Sequence, residues 1–245
     1  MTTSFYRISQ TAERALQGLL EFMRALLPSY FIAVTFATGS STSFAFYEMA
    51  MMLIFAAEYV IVKFVLPMVH IYFVIRLVNY ISKEDYLSKA AELLETLIKW
   101  TVRSVLSLTA GYNVIQGLIV PAANYVKNSV VLKTAKMLPG IGNALGSVAE
   151  SVLGAGVLIK NAIGTVGMVV IILIMAVPIT KIGSYCMMYK LSTALIQPVL
   201  DKRILECLEG AAQGASLLLY VLVAGTAMFL LTIAIVMAST NGGVV

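Results

Sequence analysis

The chain has 245 residues, of which 60% are hydrophobic and 12% charged, and its formal net charge is +5. Soluble domains carry about a quarter charged residues, so this composition excludes a soluble globular protein and leaves little chain for a domain outside a bilayer. The cations lack the clustering and aromatic interleaving of a nucleic-acid surface, and no nucleic-acid role is expected; they fit the loops of an all-α polytopic integral membrane protein.

Phe5 to Leu27 carries apolar residues at helical spacing, among them Ile8, Ala12, Leu16, Leu19, Met23 and Leu26, with Arg7, Glu13, Arg14, Glu21 and Arg24 between them. This pattern predicts an amphipathic helix over 5–27 that can lie along the interface. Pro28 then opens a short segment, 28–43, ending in Gly39-Ser-Ser-Thr-Ser43. Ala25 to Thr38 covers roughly 21 Å of helix, too short to cross. Either the first helix runs on into the membrane, or 28–43 is a re-entrant hairpin turning at Gly39–Ser43, covered by protein or water.

Residues 44–81 are almost continuously apolar, broken by Glu48, Glu58, Lys63, Pro67, His70 and Arg76. With no room for a loop, one long helix kinked near Pro67 is expected. Ser82-Lys-Glu-Asp85 reads as the start of the next helix, 84–126. Its first half places Leu87, Ala91, Leu94, Ile98 and Val102 on one stripe and Lys89, Glu92, Glu95, Lys99 and Arg103 on the other; Glu95 and Lys99 have the favourable i,i+4 order. The second half, from Ser104 to Val126, is charge-free. Lys127, Lys133 and Lys136 suit an anionic lipid headgroup surface, making membrane lipids an expected partner.

The chain is organised around Leu138 to Thr180. A glycine-rich helix is expected over 138–160, followed by membrane helices at 161–180, 182–200 and 215–239, all within a single membrane domain, 1–245. Gly140, Gly142, Gly146, Gly154 and Gly156 crowd the first half; Gly142 and Gly146 make a small-xxx-small pair, and Gly156, Lys160 and Gly164 continue at four-residue steps. In water each glycine costs a helix about 1 kcal/mol, whereas in lipid small residues let helix backbones approach closely. The stretch is therefore expected to be a packing surface, either inside one chain or against copies of the chain around a pore. On the second reading Gly142→Leu or Gly156→Leu breaks assembly. Lys202 and Arg203 on the near side of the terminal helix, against no charge anywhere in 210–245, place the C-terminus outside.

Residues that could carry chemistry are few. Glu48 lies near an expected helix start, where the dipole favours a carboxylate. Glu58 and Lys63 are five apart and do not stack on one α-helical face. His70 is the only histidine, and without further His, Cys or spaced carboxylates no metal site is expected. Arg76 is expected to snorkel towards Ser82. Glu150 and Lys160, about 15 Å apart along a helix, can pair between subunits or face a lumen. Cys186 and Cys207 read as free thiols. There is no G-x-S-x-G, no H-E-x-x-H and no phosphate-cradling loop, because Gly140-Ile-Gly142 lacks a following Lys-Ser/Thr. The chain is read as a non-enzyme without cofactors.

Several stretches together resemble the stage III sporulation protein AE family: Leu132-Lys-Thr-Ala-Lys136, Pro139-Gly-Ile-Gly142, Val157-Leu-Ile-Lys-Asn-Ala-Ile-Gly164 and Lys190-Leu-Ser-Thr-Ala-Leu-Ile-Gln-Pro198. Leu26-Leu-Pro28, the Gly39-Ser-Ser turn and Leu66-Pro-Met68 extend the resemblance towards the N-terminus. Family members are longer, with a signal sequence, an extracytoplasmic region and an earlier membrane segment; residues 1–12 lack a signal's basic end and apolar core, so the chain is expected to begin partway into a longer protein. The resemblance implies a multi-pass protein of the mother-cell membrane surrounding the forespore. It would be a channel-type subunit of a secretion-like complex whose other stage III sporulation membrane proteins include an ATPase. The expectation is a non-enzymatic homo-oligomer; the alternative is a monomeric secondary transporter in which Glu58, Lys63 or His70 couples ions to substrate.

Overall fold

A computed structural model describes residues 2–38, 41–81, 87–136, 142–198 and 202–239. Among the described residues six helices follow one another: α1 (Thr2–Thr38), α2 (Ser41–Val60), α3 (Leu66–Ile81), α4 (Ser88–Lys136), α5 (Gly142–Ile196) and α6 (Lys202–Ser239), with a π-helical turn over Ile61–Val65 joining α2 to α3. No strand occurs among the described residues. Among the described residues four stretches are long and apolar enough to cross a membrane: Thr3–Ala37, Glu48–Tyr80, Ser151–Ile196 and Ile204–Ala238. The protein is an all-α, multi-pass membrane protein.

The helices are longer and less interrupted than expected. Of the two alternatives for 28–43, α1 follows the one in which the first helix runs on: it continues unbroken through Pro28 to Thr38, rather than ending at 27 before a separate segment over 28–43. Of the re-entrant turn at Gly39–Ser43, residues 39 and 40 lie outside the described residues, and 41–43 already belong to α2. Proline removes one backbone hydrogen bond and crowds the carbonyl four residues earlier; neighbouring helices and hydroxyls make that tolerable in a membrane. The same holds at Pro178. There α5 continues without the breaks expected at 160 and 181, as one 55-residue helix, and the Thr180 hydroxyl donates to the Ala176 and Val177 carbonyls at 2.7 and 3.0 Å. Near Pro67 the distortion takes the form of the π turn, in which the Leu66 N–H reaches back to the Ile61 carbonyl. Such turns absorb a residue that α geometry cannot place. The helix expected over 84–126 is α4, with residues 82–86 outside the described residues, and the Leu87 N–H donates to Asn79 Oδ1 at 2.9 Å.

Two compact units result. The first comprises Met1–Leu20, Ala56–Ser107 and Ile172–Ala227. Its core holds Ile8, Leu16, Val65, Val69, Tyr72, Ile98, Ile182, Leu218 and Val221, all buried. Phe5 stacks on Phe73 with ring centroids 3.7 Å apart, and Gly214 leaves room for that stack, since a Cβ there would lie 2.8 Å from the Phe5 ring. The second comprises Glu21–Phe55, Leu108–Ile171 and Met228–Val245. Met23, Leu27, Tyr30, Val34, Ile171, Phe229 and Ile233 are buried in it.

Candidate functional site: the packing face of α5 and the buried polar groups

The glycines of α5 separate into two sets. In the second unit Gly156 lies so close to α1 that a Cβ would sit 2.9 Å from Ala37 Cα and 3.0 Å from Ala37 N. One turn on, Lys160 is fully buried and its Nζ donates to the Met237 carbonyl at 3.2 Å. A further turn on, Gly164 packs beneath the Tyr30 ring and Met237 Sδ, and Gly167 meets Leu26. The stripe at four-residue steps therefore packs inside one chain, against α1 and α6. Its physical logic is that of small residues in lipid: no side chain keeps the backbones apart.

Within this chain the Lys160 ammonium is taken up at the C-terminal end of α6. Met237 lies two residues from the end of α6, among the last carbonyls that have no intrahelical partner. An ammonium there meets the negative end of the helix dipole. The Tyr30 hydroxyl approaches the same end, 3.5 Å from the Ile233 carbonyl.

Gly154, by contrast, has nothing within 4 Å of where its Cβ would be. Val152, Leu158, Ile159 and Val166 around it are exposed. The most apolar window of Ser151–Ile196 is 22% buried, against 56% for Ile204–Ala238; α5 is the barest of the four long apolar helices. Gly142 and Gly146 lie in the first turns of α5, but their surroundings, the Glu150 side chain and Gly140 lie outside the described residues.

The first unit holds the charges together. Tyr72, fully buried, accepts from Arg76 Nε at 3.2 Å and lies 2.9 Å from Gln213 Oε1 and 3.2 Å from Glu95 Oε2, either of which its one hydroxyl proton can serve. Arg76 Nη2 is 3.9 Å from Glu95, whose other oxygen accepts from Lys99 Nζ at 2.7 Å, the i,i+4 pair expected from sequence. Arg76 thus turns to Tyr72 and Glu95, and its Nη1 also donates to Tyr80 Oη at 3.5 Å on the side towards Ser82. His70 is hydrogen-bonded to Ser9 beside an apolar cleft of about 500 Å³ lined by Phe5, Phe73, Val74 and Leu77. Glu58 is half-buried, Lys63 is exposed in the π turn, and Glu48 is exposed. The helix-start reading of Glu48 fails: α2 begins at Ser41, and a helix end acts only over its first turn. No group of three metal-ligating side chains occurs among the described residues. Cys186 and Cys207 are not joined in a disulfide.

One feature escaped sequence reasoning. Thr109, Asn113 and Gln116, spaced i, i+4, i+7 in the charge-free half of α4, are all buried, and Asn113 Nδ2 donates to Thr232 Oγ1 of α6 at 2.9 Å. Polar residues at helical spacing in an otherwise apolar stretch were the available signal.

The sequence model of the family described as stage III sporulation protein AE matches residues 1–240. The chain belongs to the stage III sporulation protein AE family. A relative of that name from Bacillus subtilis (strain 168) is 24% identical over 244 residues, covering 97% of this chain. The chain spans 60% of that relative's length. No solved structure matches it. The family match embraces α1 to α6, so the Gly156–Lys160–Gly164 stripe and the Tyr72 network both fall within the stage III sporulation protein AE region.

Proposed function

We propose that the chain acts in endospore formation as a non-enzymatic channel or scaffold subunit of the mother-cell membrane around the forespore. It assembles with copies of itself and with other stage III sporulation membrane proteins, among them an ATPase that supplies the energy. The family supports the sporulation role, and the four long apolar helices support the membrane setting. The observation that carries the oligomer reading is the bare apolar face of α5 with an open glycine in it. Around Gly154 a second helix can approach to backbone contact, and in lipid such packing drives association. Repeated head-to-tail, an interface of this kind forms a ring where its rotation closes.

The test uses Gly154→Leu rather than Gly156→Leu, because a side chain at Gly156 strikes Ala37 of the same chain and tests the fold instead. Native mass spectrometry of the detergent-solubilised protein is expected to show an oligomer for the wild type and a folded monomer for Gly154→Leu. A monomeric wild type, or a variant with the wild-type copy number, overturns the reading.

A further inference from the structure

The second unit contains buried polar atoms that its own side chains leave unpaired. Gln116 and Asn113 are each 1% exposed. Among the described residues both amide atoms of Gln116 and Asn113 Oδ1 have no hydrogen-bond partner, although Asn113 Nδ2 is used on Thr232. Asn161 Oδ1, also in this unit, is likewise buried and unpaired. The first unit differs: the buried Tyr72 hydroxyl there is shared by Arg76, Glu95 and Gln213. The contrast singles out α4 of the second unit.

Three orphaned atoms on adjacent turns of one helix need an explanation. A buried amide without a partner loses its hydration and gains nothing in return. Lipid cannot supply a partner, and neither residue reaches the surface where a second chain could. The Thr232 contact places Asn113 beside the candidate span Ile204–Ala238, so bulk water is excluded as well. Residues three apart on a helix have side chains roughly 5–6 Å apart, a distance one water bridges. A buried water needs roughly two to four polar partners; Gln116 Nε2 offers donors, and Gln116 Oε1 and Asn113 Oδ1 offer acceptors.

We propose that Gln116 and Asn113 form an internal water-binding site within the helix packing of the second unit, with ordered water bridging the two amides. The ligand is neutral: the orphaned atoms include both a donor and acceptors, the combination water matches. The inference concerns a single chain and stands whether or not copies assemble.

The experiment is a water-to-amide nuclear Overhauser measurement on the full chain in perdeuterated detergent, with 15N introduced only at glutamine. The chain has five glutamines, Gln10, Gln17, Gln116, Gln197 and Gln213, and Gln116→Met assigns the signal by its disappearance. The expected result is a cross-peak from long-lived water to the Gln116 side-chain N–H pair, together with a reduced cross-peak in Asn113→Leu, which removes one side of the bridge. If Gln116→Met does not fold, Asn113→Leu and residue-by-residue assignment identify the same pair. A Gln116 amide without a water cross-peak in the wild type overturns the proposal, and so does a cross-peak unaltered by Asn113→Leu.

Discussion

Substituting alanine for Gly156 probes the contact between α1 and α5 where it is tightest. The new Cβ would lie 2.9 Å from Ala37 Cα, 3.0 Å from Ala37 N and 3.2 Å from the Phe36 carbonyl carbon. Non-bonded carbons settle at about 3.5–4.0 Å, so the two backbones must part by roughly 0.6–1.1 Å. All three atoms are main chain, and no rotamer change relieves them. Overpacking of this kind costs about 1–3 kcal/mol. Alanine also gains about 1 kcal/mol of helix propensity over glycine, which blurs any comparison with the wild type. Gly154→Ala, compared in protein diluted to the monomer, removes that ambiguity, because it carries the same propensity gain into space that is open within the chain. The propensity terms cancel in the difference, leaving about 1–3 kcal/mol in favour of Gly154→Ala. For a chain of this length that is about 2–12 °C in melting temperature. Thermal unfolding of both variants in one detergent, followed by circular dichroism at several protein concentrations, measures it. Gly156→Ala melting at or above Gly154→Ala would refute the reasoning. A gap that vanishes on dilution would move the contact from within one chain to between chains.

Two further substitutions address the buried polar groups. Tyr72→Phe keeps the ring but removes the hydroxyl shared by Arg76, Gln213 and Glu95; a loss of about 1–3 kcal/mol of unfolding free energy is expected for the partners left unsatisfied, read by denaturant titration, and a wild-type midpoint would show that they re-pair without it. Lys160→Ala should cost about 2–4 kcal/mol, combining lost packing of the buried stem with the lost hydrogen bond to Met237. Lys160→Met keeps most of the stem and should recover part of that loss, and a Met variant no better than Ala would assign the whole effect to the hydrogen bond.

Of the candidate site, the spacing of small residues was legible and their partner was not. Gly156, Lys160 and Gly164 share a helix face at any four-residue spacing, so a close-packing stripe could be read from the chain alone. Whether the opposing backbone belongs to the same molecule depends on where Ala37, Tyr30 and Met237 arrive in space, and nothing local to α5 specifies that. Arg76 teaches the same lesson: its length and flanking residues suggested a snorkelling end, while its conformation depends on Glu95 being carried to it by α4. Pro28 and Pro178 misled for a related reason. Proline weakens an isolated helix, but packing against other helices outweighs one missing hydrogen bond.

What the sequence by itself determined is the solvent the chain lives in and the faces its helices present, because hydropathy and helical period are sums over neighbouring residues. The tertiary structure alone decided which glycines are spent inside the chain, with Gly156 taken up by Ala37 and Gly154 left open. It also decided which polar side chains find partners, with Tyr72 shared by three and Gln116 by none. Both outcomes turn on distances between residues far apart in sequence, and such distances exist only once the helices have packed.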